Sequence, residues 1–181
     1  MDKTKRVKPN QIPYEAYKEI EEAIGKENIT ADRATIECYS RFGIDIAGYL
    51  KKHAKDPSNI PACIVLPNST EDIQAVVRIA NKYKIPFIPM TNGQLGAACM
   101  PTTPAPTICI HFSRMNRVLE LNEEKMTIKI EPYVDYGQVQ ADAMKKGLWN
   151  GGTPLATSLC KISSQVVLAG LWQTSKKYGT I

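Results

Sequence analysis

The groups in this chain best placed to do chemistry are main-chain amides. After the apolar run Ile85–Ile88 the chain reads Pro89-Met90-Thr91-Asn92-Gly93-Gln94-Leu95-Gly96. Asn-Gly turns the backbone sharply, and glycine permits positive φ and close approach. Successive N–H groups in such a bend form a concave nest for negatively charged oxygens. The ligand implied is a phosphate or pyrophosphate, and so a nucleotide-type cofactor. No helix can follow the bend directly, because Pro101, Pro104 and Pro106 intervene. Standing alone, Asn92-Gly93 is an ordinary turn; its weight comes from its place after a strand.

Other reactive side chains point elsewhere. The five cysteines (Cys38, Cys63, Cys99, Cys109, Cys160) form no C-x-x-C pair, and His53 and His111 are not spaced with them as ligands, so no metal site is expected. Cys63 and Cys109 read as small core residues and His111 as an ordinary strand residue. Glu123-Glu124 falls in a hairpin loop and is not an acid/base couple. Tyr133, Tyr136 and Trp149 read as packing residues. Gly151-Gly152 before Pro154 reads as a turn. Thr157, Ser158, Ser163 and Ser164 serve equally as loop and capping hydroxyls or as donors to a ligand. No G-x-G-x-x-G opens a helix after a first strand, which argues against a nicotinamide-binding Rossmann unit.

Elements must position these groups. A helix starts near Pro13, carries Ile12, Ala16, Ile20 and Ala23/Ile24 on one face, and ends at Gly25. Thr30 is placed to cap a second short helix with Ala34, Ile36 and Tyr39 as its apolar candidates. Cys63–Leu66 is a wholly apolar strand, as in a buried parallel pair. Ser69 or Thr70 caps the next helix, whose buried stripe is Ile73, Val76, Val77 and Ala80. Ile85–Pro89 is a second strand, parallel through a right-handed crossover, and its prolines place it at an edge or a strand end. Thr107–His111 is a third. Arg117–Asn122 and Thr127–Glu131 form a hairpin. Asp135 caps a helix holding Val139, Ala143 and Met144, with Gly147 at its end.

The 181 residues suit one domain or slightly more, and 43% apolar with 23% charged residues is an ordinary globular balance. The net charge of +5 gathers in Lys3–Lys8 and Lys176-Lys177 rather than in a stripe interleaved with aromatics, so nucleic acid is not an expected partner. No run approaches a membrane span, no apolar leader opens the chain, and reduced thiols make the cytoplasm the default location.

Several segments together resemble a known family. They are Ile64-Val65-Leu66-Pro67-Asn68-Ser69-Thr70-Glu71-Asp72-Ile73, then Ala80-Asn81 through Ile85-Pro86, Ser113-Arg114-Met115-Asn116-Arg117-Val118-Leu119-Glu120, and Ile130-Glu131-Pro132-Tyr133-Val134. Gly147-Leu148 and Lys177-Tyr178-Gly179 continue it, and Tyr39-Ser40-Arg41 extends it weakly forward. The chain is similar to the N-terminal part of the PCMH-type FAD-binding domain of the vanillyl-alcohol oxidase, p-cresol methylhydroxylase, glycolate oxidase and D-lactate oxidase superfamily. The S-R-M-N-R-V-L-E and E-P-x-V segments are its most specific parts.

The resemblance implies an α+β fold. A small parallel βαβ subdomain at about 60–113 would pack on a second, incomplete mixed-sheet subdomain at about 114–181, after a helical appendage at 1–59. It implies FAD, held by two loops. The first is Pro89, Met90, Thr91, Asn92, Gly93, Gln94, Leu95 and Gly96. The second is Pro154, Thr157 and Ser158 with Ser163 and Ser164. Met90 and Thr91 replace a basic residue and a glycine common in the family, and Ser163-Ser164 replaces a Gly-Gly pair, so both loops are bulkier. The first loop's style is nearer the vanillyl-alcohol and cresol branch. The implied function is the FAD-binding portion of an oxidoreductase acting on a hydroxy acid or a phenolic alcohol. The rest of the domain and the substrate domain would come from a longer chain or a partner subunit, so no catalytic residue can be named. The alternative is a non-catalytic module that keeps the fold without cofactor and binds a partner through an open sheet edge.

Overall fold

The computed structural model describes residues 11–39, 60–91, 106–149 and 161–163. The chain divides into two compact units, Met1–His111 and Phe112–Ile181.

In the first unit, helix α1 (Tyr14–Ile24) follows Pro13 and buries Ala16, Ile20 and Ile24, with Ile12 beside them; Ala23 is exposed. It ends at Gly25, whose φ of 91° is positive and where a Cβ would lie 2.7 Å from the Glu27 carboxylate. A single 3-10 turn, Lys26–Asn28, leads into the two-residue strand β1 (Ile29–Thr30). Helix α2 (Arg33–Tyr39) is capped by Asp32 rather than Thr30: the Asp32 carboxylate accepts from the Thr35 main-chain N–H at 2.9 Å. Thr30 Oγ1 instead accepts from the Asp32 N–H at 3.1 Å, just before the helix. Only the Ile36 side of α2 is buried, and Ala34 is exposed.

Strand β2 (Cys63–Val65) is buried along its whole length. Helix α3 (Thr70–Tyr83) is capped by Ser69, whose Oγ accepts from the Asp72 N–H at 3.1 Å, while the Asp72 carboxylate accepts from the Asn68 N–H at 2.8 Å. The first bond satisfies an amide that the first helical turn leaves open, and the second fastens the residue before the cap to that turn. Val76 and Ala80 form the fully buried part of its stripe. Helix α1 packs on α3, and Glu19 ties them by accepting from Lys82 Nζ and Tyr83 Oη, both at 2.6 Å.

Strands β3 (Phe87–Met90) and β4 (Ile108–His111) complete a four-stranded mixed sheet in the order β1-β2-β4-β3. The strands β2 and β3, joined by α3, are parallel as expected but are not neighbours; β4 lies between them and pairs in parallel with both. Central β4 is buried throughout, whereas β3, with Pro89, lies at the edge, where a strand tolerates a missing N–H. Strand β1, from the expected appendage, pairs antiparallel with β2 and so belongs to the same sheet.

In the second unit, β5 (Val118–Asn122) and β6 (Thr127–Ile130) form the expected antiparallel hairpin, with Met126 at φ 52° in its turn. Helix α4 (Tyr136–Met144) is capped by Asp135, which accepts from the Gln138 N–H at 2.8 Å. Tyr136, Val139 and Ala143 face inward, but Met144 does not and is 65% exposed. Gly147, at φ 70°, turns the chain after the helix, and the Leu148 N–H closes it on the Ala143 carbonyl at 3.0 Å. Val134, Tyr136, Val139 and Ile162 form the core of this unit against Val118, Ile128 and Ile130. A mixed sheet, a small antiparallel sheet and interspersed helices make the fold α+β.

Candidate functional site

In the first unit the parallel pair β3/β4 ends with Met90 opposite His111. Parallel strands in open α/β sheets present ligand sites beyond their carboxyl ends. Thr91, the first residue past β3, is buried at 7% exposure. Thus Pro89, Met90 and Thr91 run along the edge strand to the point where the bend was expected; Asn92, Gly93, Gln94, Leu95 and Gly96 lie outside the described residues. Beneath them Cys109 Sγ lies 3.7 Å from Met90 Sδ, in a cluster with Ile36 and Ile64. Burial pushes the Cys63 thiol up to about 12, in keeping with a core role.

His111 is a strand residue, as expected, but it is also part of a polar cluster. Its Nδ1 lies 3.0 Å from Tyr39 Oη, and the two rings meet edge to face with centroids 5.0 Å apart. Burial holds the imidazole below its ordinary range, and a main-chain hydrogen bond at Thr91 opposes this by favouring the charged ring, the sign given by a carbonyl acceptor.

In the second unit Ser163 Oγ donates to the Pro132 carbonyl at 2.5 Å, so its proton is already used within the fold. The segment is held beside α4's cap: Ile162 N–H donates to the Val134 carbonyl at 3.0 Å, and Lys161 bridges Asp135. Lys161 Nζ sits 3.4 Å from the Asp135 carboxylate and 4.3 Å over the Tyr133 ring. Ser163 and Pro132 line a cavity of about 780 Å³ whose apolar wall includes Ile128, Ile130, Val139 and Trp149. Pro154, Thr157, Ser158 and Ser164 lie outside the described residues.

The cavity's acid, Glu131, is neutralised. Its carboxylate receives Arg117 Nη2 at 2.6 Å, Nε at 3.0 Å and the Arg117 main-chain N–H at 2.7 Å. These contacts hold it below the usual carboxylate range. This pair, and the Tyr39–His111 pair, escaped sequence reasoning. Arg117 and Glu131 stand at opposite ends of the predicted hairpin, so its register was a usable signal; nothing local links Tyr39 to His111.

The described residues of the two expected contact segments present no unpaired acid to an anionic dinucleotide cofactor. In the first unit the buried Thr91 ends the described part of the first expected contact segment, and in the second unit the cavity's acid is paired with Arg117 and Ser163 is the described residue of the second segment. Among the described residues no group of three His, Cys, Asp or Glu side chains converges on a point, and no helix is long and apolar enough to cross a membrane.

Comparison with known proteins defines the class. The model of the family described as FAD binding domain matches residues 61–181. The chain therefore belongs to the FAD binding domain family, within the PCMH-type oxidoreductase superfamily, and FAD is the cofactor of that family. It is 35% identical over 101 residues to D-2-hydroxyglutarate dehydrogenase of Stutzerimonas stutzeri, covering 56% of this chain and 22% of that protein. It is 28% identical to alkyldihydroxyacetonephosphate synthase of Dictyostelium discoideum, covering 77% of this chain and 23% of that protein. A solved alkyldihydroxyacetonephosphate synthase superposes with a TM-score of 0.82 at 25% identity, over 97% of this chain and 33% of that one. For 4-ethylphenol oxidase from Gulosibacter chungangensis the TM-score is 0.69 at 30% identity, over 87% and 30%. The chain spans under a quarter of the length of these two curated relatives.

Proposed function

We propose that this chain is the FAD-binding portion of an oxidoreductase that oxidises a hydroxy acid or a phenolic alcohol. The family match across residues 61–181 carries the reading. Relatives whose names specify D-2-hydroxyglutarate, D-lactate and glycolate support a hydroxy acid, and the 4-ethylphenol oxidase supports a phenol. When bound, the flavin ring supplies the chemistry by taking up a hydride or two electrons. The chain's own part is binding and orientation. Pro89 to Gly96 offers main-chain N–H groups to the pyrophosphate. Pro154, Thr157, Ser158, Ser163 and Ser164 form the second contact segment, Ser163 through its main chain and oxygen lone pairs, since its proton is donated to Pro132. Substrate oxidation then draws on the remaining part of the enzyme, in the same polypeptide or a partner subunit, and the thiol-rich chain is assigned to the cytoplasm.

The experiment is flavin analysis of the purified protein. Yellow protein, or colourless protein that takes up added FAD stoichiometrically, is the expected result. Colourless protein that takes up none would overturn the assignment in favour of a cofactor-free partner-binding module.

A further inference from the structure

We propose that Tyr39 and His111 are positioning residues for the cofactor, acting through the main chain at Thr91. This rests on the flavin reading above and extends it to residues outside its two loops; Tyr39 also lies outside the matched stretch 61–181. The geometry is specific. Tyr39 is the last residue of α2, and His111 the last of β4, 72 residues away. Their side chains meet at 3.0 Å with perpendicular rings (interplanar angle 85°), which fixes the imidazole both by a hydrogen bond and by edge contact. The strand register sets Met90 opposite His111, so Thr91 is the next residue past the pair. The ring hydrogen-bonds the Thr91 main chain.

These contacts define a proton arrangement. A neutral imidazole has one N–H and one acceptor nitrogen. Donation of its N–H to the Thr91 carbonyl leaves Nδ1 to accept from the Tyr39 hydroxyl. Burial, at 9% exposure, keeps the ring in this neutral form, in line with its lowered titration. Tyr39 thereby selects the tautomer, and the tautomer holds the carbonyl of the residue that opens the expected pyrophosphate segment. An anchored carbonyl orients the peptide plane it belongs to. Edge strand β3 has no neighbour on its outer side among the described residues to do this instead.

The test uses the full chain and three variants: Tyr39→Phe, His111→Leu and His111→Gln. Gln offers both a donor and an acceptor, so it is the rescue variant. Two quantities are read: the affinity for added FAD, and amide hydrogen exchange across residues 90–93, with exchange in α3 as the control. Loss of an ordered hydrogen bond is worth roughly five- to tenfold in an equilibrium. Tyr39→Phe and His111→Leu are expected to weaken FAD uptake and speed exchange at 90–93 by about that factor. His111→Gln should restore most of both, and α3 should not change. Should His111→Leu fail to fold, Tyr39→Phe alone decides, since it keeps the ring. Unchanged exchange in Tyr39→Phe overturns the positioning role, whatever the flavin result. Faster exchange with unchanged FAD affinity reduces the pair to a structural contact and likewise overturns it. A wild-type chain that takes up no FAD sinks the flavin reading itself, and the cofactor role of the pair with it.

Discussion

Arg117 and Glu131, fourteen residues apart, close the open end of the β5–β6 hairpin by side chain and main chain together. The carboxylate takes the guanidinium and the Arg117 N–H, while the Glu131 N–H returns a bond to the Arg117 carbonyl at 3.0 Å. The acid is buried at 5% exposure, but the arginine side chain is 67% exposed. Each of the two most specific motif segments of the chain therefore gives one charged residue, Arg117 or Glu131, to hairpin closure.

This asymmetry predicts how the pair responds to substitution. The ion pair itself contributes little at so exposed a guanidinium. The main-chain bond matters more, because losing its acceptor leaves a partly buried N–H unsatisfied. Glu131→Ala is expected to cost about 1–2 kcal/mol in urea unfolding, and Arg117→Ala distinctly less. Equal losses would show that the guanidinium, not the main chain, is the tie.

Acid should destabilise the fold in two stages. Burial lowers the His111 titration below its ordinary 6.5, and Arg117 lowers that of Glu131 below 4.5. A group whose folded value is depressed lends its stability fully above its unfolded value and loses it as pH falls through the folded one. Thermal midpoints measured from about pH 7 down to about pH 2 should fall, first through His111 and then, below about pH 4.5, through Glu131. His111→Gln should flatten the upper part of that curve and leave the lower part.

Thiol reactivity should separate by burial. Cys63 is fully buried with its thiol pushed up to about 12, whereas Cys38 is exposed. The thiolate is the nucleophile. Iodoacetamide at mildly alkaline pH is expected to label Cys38 at least tenfold faster than Cys63, read by peptide mass spectrometry. Denaturant should remove the difference.

Lys84 closes α3 in a left-handed conformation, at φ 55°, and the Ile85 N–H reaches back to the Ala80 carbonyl at 2.8 Å. Such a closing position favours glycine. Lys84→Gly should raise stability by about 0.5–1 kcal/mol, measured by thermal unfolding. A loss of stability would mean that the lysine side chain carries a compensating contact.

The cofactor segment has its own test. Gly93→Val is expected to abolish FAD uptake while leaving the unfolding midpoint within about 0.5 kcal/mol of wild type, as for a surface loop change. Uptake that persists would remove residues 89–96 from the site.

Local features of this protein were legible in one dimension. The caps at Ser69 and Asp135, the end of α1 at Gly25 and the hairpin around Glu123–Lys125 each depend on residues within a turn or two of each other. The apolar runs of β2 and β4 announced buried strands for the same reason. The family motifs announced the cofactor class, because they are short contiguous strings. Tertiary structure alone decided that β4 lies between β2 and β3, that α2 turns Ile36 and not Ala34 inward, and that Met144 faces solvent. It alone joined Tyr39 to His111. Pairing order and helix rotation are set by how whole faces pack across the sheet, and no periodicity within a segment encodes which distant segment will cover it.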